Sequence, residues 1–239
     1  MNNIIKYYLI ISVVGAIGNF VALRKKDSVS KKKWWLKYFT YVLWAGGVIA
    51  GILYFENFYF TMSCVVVIAG FYEVLSNLKQ KNNAKLVILL LSIMVLFFYL
   101  LFSLQFDKNL YLSFFVLICV FDAFCQITGQ IFGTRKIIKK ISPKKTLEGY
   151  IGGAFVTILF VFFVFKNVVV IEQTWKEIVF FIIGGATLGD LLSSMLKRYF
   201  KIKDFSKLFP GQGGILDRYD SHIFAGVVYF CYDYLMKHV

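Results

Sequence analysis

Long apolar stretches separated by short polar links follow one another along the whole chain. Each stretch has about the 20 mostly apolar residues that an α-helix needs to cross the hydrocarbon core of a bilayer. The pattern therefore predicts eight membrane-spanning helices joined by short loops. The predicted spans are Ile4–Leu23, Leu36–Phe55, Phe58–Leu78, Lys85–Phe106, Asn109–Gly133, Leu147–Phe165, Lys176–Leu196 and Ile215–Met236.

Composition supports a membrane protein. Of the 239 residues, 59% are hydrophobic and only 17% are charged, whereas about 25% are charged in ordinary globular proteins. A soluble fold of this size cannot cover so much apolar surface, and a disordered chain would contain far less. We predict an all-α, polytopic transmembrane helical bundle. We divide it into an N-terminal four-span region, residues 1–106, and a C-terminal four-span catalytic region, residues 107–239.

The positive charges alternate along the chain. There are 27 Lys and Arg against 13 Asp and Glu, a formal net charge of +14. Every second link between spans is basic, most of all Arg24–Lys33, Arg135–Lys145 and Lys197–Lys207. Basic links of a membrane protein face the cytoplasm, so both termini are predicted to be extracytoplasmic. Because this topology accounts for the basic excess, we expect no nucleic-acid partner.

Carboxylates inside or at the ends of the predicted spans are candidate catalytic or metal-binding groups, since ionisable side chains in a membrane are energetically costly and usually functional. Asp122 and Asp190 fall in the cytoplasmic halves of spans five and seven, and Asp217 and Asp220 open span eight. Several oxygen ligands at one depth suit Mg²⁺, with substrate phosphates completing its shell. The alternative is that these aspartates only neutralise lysines within the bundle. Glu73 in span three is open to a second interpretation, a carboxylate that reaches the interface.

Helical spacing places polar partners beside these aspartates, because residues three, four and seven apart share a face. Each such face is expected to point into the bundle, since lipid exposure of a carboxylate is unfavourable. The three predicted faces are Asp122–Gln126–Gly129, Asp190–Ser194–Lys197 and Asp217–Asp220–Ser221.

Two cytoplasmic loops contain turn-forming residues beside basic and hydroxyl groups. The segment Ser142-Pro143-Lys144-Lys145-Thr146 contains two lysines and two hydroxyl groups, which suit a phosphate. The alternative is a basic loop whose charge only orients the helices in the membrane. Pro210-Gly211-Gln212-Gly213-Gly214 immediately precedes a predicted helix N-terminus. Backbone N–H groups in such a turn approach anions closely.

The C-terminal half of the chain resembles a known family. The resemblance covers Phe121 to Ser221, most closely Ser194 to Ser221 with its Pro-Gly-Gln-Gly-Gly-Ile-Leu-Asp-Arg-Tyr-Asp-Ser run. Upstream, Asp122-x6-Gly129-x3-Gly133, the segment Ile141–Gly149, and Gly189-Asp190-Leu191 look like further motifs. These motifs resemble those of the CDP-diacylglycerol synthases, or phosphatidate cytidylyltransferases.

The resemblance implies a reaction in which CTP and phosphatidic acid give CDP-diacylglycerol and pyrophosphate. It also implies Mg²⁺ as cofactor, with K⁺ as a second cation, a cytoplasm-facing site in the plasma membrane, and a homodimer as an open expectation. The implied metal ligands are Asp190, Asp217 and Asp220, which with Lys197 form the catalytic set. The implied substrate-binding residues are Asp122, Ser142, Lys144, Lys145, Thr146, Arg198, Lys203, Gly213, Gly214 and Arg218.

Three positions depart from the family pattern. Gln212 stands where the family usually has His, so a proton-transfer role there is in doubt because an amide does not titrate. Ser193 stands where the family often has Glu. Gln126 and Gln130 replace a Tyr and a basic residue of the first motif. The chain is therefore interpreted as a divergent member whose lipid substrate is open.

Two other function classes remain. A CTP-dependent lipid kinase would share the membrane setting and basic loops, but would release CDP and a phosphorylated lipid. A repurposed or inactive homologue, such as a transporter or an assembly subunit, would make no product. The chain has no evident inverted repeat, which many transporters contain.

Overall fold

A computed structural model describes residues 2–24, 28–78, 84–138, 141–143, 145–163, 175–209 and 212–238. Within these ranges the chain forms eight α-helices and no β-sheet, which confirms the predicted helical bundle. The helices are α1 (Asn2–Leu23), α2 (Ser28–Tyr54), α3 (Phe58–Asn77), α4 (Ala84–Gln105), α5 (Lys108–Phe132), α6 (Leu147–Phe163), α7 (Trp175–Tyr199) and α8 (Leu216–His238).

The helix bounds follow the predicted spans closely, with one clear difference. α2 begins at Ser28, before the predicted start at Leu36. The apolar stretch starts only after the lysines of residues 31–33. The helix nevertheless includes these lysines, since lysine is a good helix former.

In the described part of the chain, six helices are long and apolar enough to cross a membrane: α1, α2, α3, α4, α5 and α7. α6 is apolar but has 17 residues, and α8 carries charged residues near both ends. Large apolar side chains on the outside of the bundle, such as Leu43, Ile68 and Phe180, are about 70% exposed or more. Such a surface suits lipid rather than water, so the protein is a multi-pass membrane protein. That α6 and α8 also span the bilayer stays a prediction.

α5 is the central helix. It contacts α1, α2, α3, α6, α7 and α8, and most of its N-terminal half is buried, as expected for a helix segment that is hydrophobic all round. Aromatic rings fill the core beside it, with Tyr99 and Phe102 of α4 against Tyr111 and Phe114 of α5.

Glycines bring two helix pairs into close contact, as small residues do in membrane bundles. A Cβ atom at Gly153 of α6 would lie 2.3 Å from Cys125 Sγ of α5. In α7, a Cβ at Gly185 would lie 2.5 Å from Ala225 Cα, and one at Gly189 would lie 2.5 Å from the carbonyl oxygen of Asp220. The α7–α8 contact therefore places Asp190, the residue after Gly189, beside Asp220.

Candidate functional site

A cavity of about 740 Å³ is lined by residues of α1, α2, α5, α6, α7 and α8 and of the α5–α6 and α7–α8 loops. One part is apolar and aromatic, with Ile11, Ile49, Phe115 and Val116 in its wall. The other part is charged and contains most of the predicted site residues. Those that line it are Asp122, Ser142, Lys145, Thr146, Asp190, Lys203, Asp217, Arg218 and Asp220.

Lys145 joins the α5–α6 loop to α7. Its ammonium group forms an ion pair with the Asp190 carboxylate. It also donates to the Asp190 carbonyl oxygen at 2.9 Å and to Ser194 Oγ at 3.2 Å. The Tyr150 hydroxyl of α6 donates at 3.0 Å to Asp190 Oδ2, the same oxygen that pairs with Lys145. The pair is only partly buried, with side-chain exposures of 20% and 31%, so it remains within reach of a bound substrate.

The loop that carries Lys145 is held in shape by its own backbone. Lys136 and Thr146 form an isolated antiparallel bridge. The Glu148 carboxylate accepts from the backbone N–H groups of Thr134 and Arg135 at 3.1 Å and from Thr134 Oγ1 at 2.7 Å. These contacts close the loop at its base and direct Lys145 towards α7.

Asp122 and Asp220 complete an acidic centre with Asp190. Each of them experiences the charge of Asp190, and Asp122 also experiences the charge of Asp220. The nearby cations are Arg218 and Lys145 for Asp122, and Lys197 and Lys145 for Asp220. The three carboxylates repel one another, and these three cations offset part of that repulsion.

Asp217 is more enclosed than the other aspartates. Its Oδ1 pairs with Lys197 Nζ at 2.7 Å, with side-chain exposures of 3% for Asp217 and 13% for Lys197. Its Oδ2 accepts from the backbone N–H groups of Phe205 at 2.7 Å and Gly214 at 2.9 Å. Gly213 next to this turn has φ +90°, and a Cβ there would lie 2.5 Å from Asp217 Oδ2. Asp217 therefore holds the α7–α8 loop to the start of α8.

Glu73 of α3 provides a second anchor for this loop. The buried carboxylate accepts from the backbone N–H groups of Ile215 at 3.0 Å and Leu216 at 2.9 Å, and from Ser206 Oγ at 2.7 Å. Leu216 is the first residue of α8 and Ile215 directly precedes it, so neither N–H group has a partner within the helix. Of the two interpretations of Glu73, the structure favours a role inside the bundle.

The remaining predicted residues lie beside the cavity or outside the described chain. Lys197, Gly213 and Gly214 support the cavity through Asp217. Arg198 is not in the cavity wall, and its guanidinium donates to the carbonyl oxygens of Ile141 and Ile202. Lys144 lies outside the described residues. The roles assigned to all these residues stay predictions.

Sequence reasoning missed Tyr150 because it lies among 15 tyrosines with no spacing to distinguish it. It also gave no role to Gln130, whose two amide atoms are buried without a hydrogen-bond partner in the described residues. Gln130 lines the charged part of the cavity. A polar side chain inside a predicted span was the available signal, and it was interpreted only as a departure from the family pattern.

The donor atoms present bear on the predicted Mg²⁺ site. Among the described residues no group of three His, Cys, Asp or Glu side chains is arranged to hold a metal ion. The donors at Asp122, Asp190 and Asp220 are nevertheless all carboxylate oxygens, which suit a hard cation such as Mg²⁺. This donor set fits an ion that takes part of its shell from substrate phosphates.

Comparison with known proteins decides the family. The sequence model of the cytidylyltransferase family matches residues 5–236. This chain belongs to the cytidylyltransferase family. The match covers the first four helices as well as the motif-rich half of the chain.

Curated relatives in this family are similar over part of their length. The chain is 40% identical over 128 residues to a phosphatidate cytidylyltransferase of Haemophilus influenzae, covering 50% of this chain and 43% of that protein. It is 40% identical over 115 residues to one of Staphylococcus haemolyticus and 36% identical over 115 residues to one of Staphylococcus aureus, each covering 46% of this chain and 44% of the relative. The aligned segments thus span less than half the length of these relatives.

Proposed function

We propose that this protein is a membrane nucleotidyltransferase that makes CDP-diacylglycerol and pyrophosphate from CTP and phosphatidic acid. The observation that carries the proposal is the shape and polarity of the cavity. One part is lined by lysines, an arginine and carboxylates, and the other by apolar and aromatic side chains of α1, α2 and α5. A substrate with phosphate at one end and acyl chains at the other matches both parts.

The reaction needs positioning and charge neutralisation more than covalent chemistry from the protein. A phosphate oxygen of phosphatidic acid attacks the α-phosphorus of CTP. The new phosphorus–oxygen bond forms as the bond to the bridging oxygen of the β-phosphate breaks, and pyrophosphate leaves. Cations held beside the reacting phosphates stabilise the charge that develops.

Lys145 and Arg218 are the proposed phosphate-binding cations. Lys145 is held by Asp190 and Ser194 at the cavity wall. Arg218 lines the same cavity and has a buried Nε atom without a partner in the described residues. A guanidinium group with a free N–H donor suits a phosphate oxygen.

We place Mg²⁺ at the carboxylates that face the cavity, Asp190 and Asp220, with Asp122 beside them. Bound there with the phosphates, the ion would neutralise charge on the triphosphate. Asp217 is the less accessible of the proposed ligands because Lys197 and two backbone N–H groups already occupy its oxygens.

We further propose a plasma-membrane location with the charged part of the cavity on the cytoplasmic side. The basic α5–α6 and α7–α8 loops line this part, and basic loops face the cytoplasm. CTP would then enter from the cytoplasm, while the lipid is drawn from the bilayer.

The test is product analysis with purified protein in detergent. Incubation with α-³²P-labelled CTP, phosphatidic acid and Mg²⁺ should convert label to CDP-diacylglycerol, with one pyrophosphate released for each lipid formed. In a parallel incubation with a lipid alcohol such as a polyprenol, label in CDP together with a newly phosphorylated lipid would instead identify a CTP-dependent kinase. No product from a folded preparation would favour a repurposed or inactive homologue.

A further inference from the structure

Gln212 makes two hydrogen bonds in opposite directions at the charged part of the cavity. Its Nε2 atom donates to the backbone carbonyl oxygen of Lys37 on α2. Its Oε1 atom accepts from Arg218 Nη1 at 3.0 Å. The residue is 8% exposed, so it connects α2 to Arg218 across a region largely closed to water.

Arg218 depends on this contact for its orientation. Among the described residues, the one hydrogen bond of its side chain is the bond to Gln212, and the guanidinium belongs to none of the ion pairs. Its Nε atom is buried and without a partner there. The charge of Asp122 attracts the guanidinium, but a Coulomb attraction alone does not fix which N–H groups point into the cavity.

We propose that Gln212 is a positioning residue that aligns the Arg218 guanidinium for a substrate phosphate. The inference rests on the proposed function, because it assumes that a phosphate occupies this cavity. A neutral amide offers a donor and an acceptor at the same time and does not titrate. Gln212 therefore holds Arg218 in one orientation across the whole physiological pH range.

Possible replacements for Gln212 differ in whether they keep the hydrogen-bond donor and the hydrogen-bond acceptor of the amide. Leucine offers neither a donor nor an acceptor. Neutral histidine offers both, one on each ring nitrogen, whereas imidazolium offers donors only and carries the same charge as Arg218. If alignment of Arg218 is the function of residue 212, these variants should differ in a predictable order.

A double-mutant cycle tests whether Gln212 acts through Arg218. We expect Gln212→Leu to lower kcat/KM about tenfold in the wild-type background, but less than twofold when Arg218→Lys is already present. An equal loss in both backgrounds would overturn the proposal, since Gln212 would then act through another contact. The control is Gln105→Leu on α4, which removes an exposed glutamine that donates to Asp233 and should leave kcat/KM unchanged.

A pH profile of Gln212→His tests the alignment independently of protein stability. Burial and the adjacent Arg218 charge hold the pKa of an imidazole at this position below the ordinary value of about 6.5, so the variant should approach wild-type kcat/KM at pH 8. It should lose activity relative to the wild type only as the pH falls through this lowered pKa. The surrounding charged groups are present in both proteins, so the ratio of the two activities isolates the new imidazole. These groups are Lys37, Asp122, Lys203, Asp204, Asp217 and Arg218.

A Gln212→His variant as impaired at pH 8 as Gln212→Leu would contradict the role of Gln212 as the acceptor for Arg218, since neutral histidine keeps both the donor and the acceptor. Failure of the proposed function would look different, because the wild type itself would form no CDP-diacylglycerol. Wild-type turnover with an additive double-mutant cycle would remove only the inference about Gln212.

Discussion

At the residue scale, two Lys–Asp pairs with the same chemistry have different surroundings. The Lys145–Asp190 pair is partly exposed to the cavity, and Tyr150 and Ser194 complete its hydrogen bonds. The Lys197–Asp217 pair is almost fully enclosed. Breaking an enclosed pair leaves an uncompensated charge, which costs about 3–5 kcal/mol. The two aspartates should therefore fail in different ways when they are neutralised.

We predict that Asp190→Asn lowers turnover by about two orders of magnitude, a loss of about 2.7 kcal/mol of transition-state stabilisation, with little change in melting temperature. Asp217→Asn should lower both turnover and melting temperature, because Lys197 loses its counter-charge. Activity assays and thermal unfolding in detergent measure the two effects. The control is Asp107→Asn, since Asp107 caps α5 and asparagine caps equally well. Equal melting temperatures for the two site variants would argue against the difference in burial.

Lys145 should contribute to substrate binding beyond its contact with Asp190. We predict that Lys145→Ala raises KM or lowers kcat, with a combined loss in kcat/KM of tenfold or more, because a phosphate loses a cation. Lys136→Ala is the matched control, since Lys136 lies in the same loop with an exposed side chain. If both variants turned over like the wild type, the loop would serve topology alone.

At the element scale, the spacing of α7 and α8 determines where the carboxylates meet. The backbone of Asp220 packs against Gly189, so a Cβ atom there would lie 2.5 Å from the Asp220 carbonyl oxygen. A Cβ atom at Gly184 on the same helix would have no neighbouring atom within 4 Å. Backbone cannot move aside as a flexible side chain can. The two glycines of one helix are therefore expected to respond oppositely to the same substitution.

We predict that Gly189→Ala separates α7 from α8 near Asp190 and Asp220, and lowers turnover at least tenfold together with the melting temperature. Gly184→Ala should retain activity and stabilise α7 slightly, since alanine is favoured over glycine in a helix by about 1 kcal/mol. Turnover and thermal unfolding of both variants test this. An active, stable Gly189→Ala protein would show that the helix contact is not needed for the site.

The first turn of α8 depends on a residue from α3. Glu73 accepts from the N–H groups of Ile215 and Leu216 through both of its carboxylate oxygens. We predict that Glu73→Gln costs about 1–3 kcal/mol, because one amide NH₂ would then face a backbone N–H donor. Thermal unfolding in detergent measures the loss, with exposed Glu56→Gln as the control. A melting temperature unchanged from the wild type would refute the capping role.

At the scale of the whole molecule, the two halves of the chain build one cavity. Its wall combines α1 and α2 with helices α5 to α8 and the α5–α6 and α7–α8 loops, and α3 holds the loop before α8. Asn77 at the end of α3 donates to the carbonyl oxygen of Phe205 in that loop at 3.0 Å. The N-terminal helices thus contribute the apolar wall and the supports of the charged residues.

The topology gives a prediction for the whole chain. Because basic and neutral links alternate, both termini are expected outside and the Lys136–Lys140 loop inside. Reporter fusions at Val239 and within Lys136–Lys140 should therefore report opposite sides of the membrane. The same side for both would contradict the eight-span arrangement, most directly the crossing of α6 or α8.

The sequence alone determined the helices and their order. Twenty-residue apolar runs leave a membrane chain little choice but the helix, because every backbone polar group must be satisfied internally. The family motifs likewise identified most residues that line the charged part of the cavity, including Lys145, Arg218 and Asp190. These are local properties, and local pattern is enough to establish them.

Only the tertiary structure decided which of these groups face one another. Helical spacing placed Asp217 and Asp220 on one face, but the structure directs Asp217 to Lys197 and the loop, and Asp220 to Asp190. The partners of Glu73 lie 133 to 143 residues away. A helical period fixes the angle between side chains within one helix, but not the rotation of that helix against its neighbours. That rotation is set by close contacts such as Gly189 against Asp220, which appear only once the helices have packed.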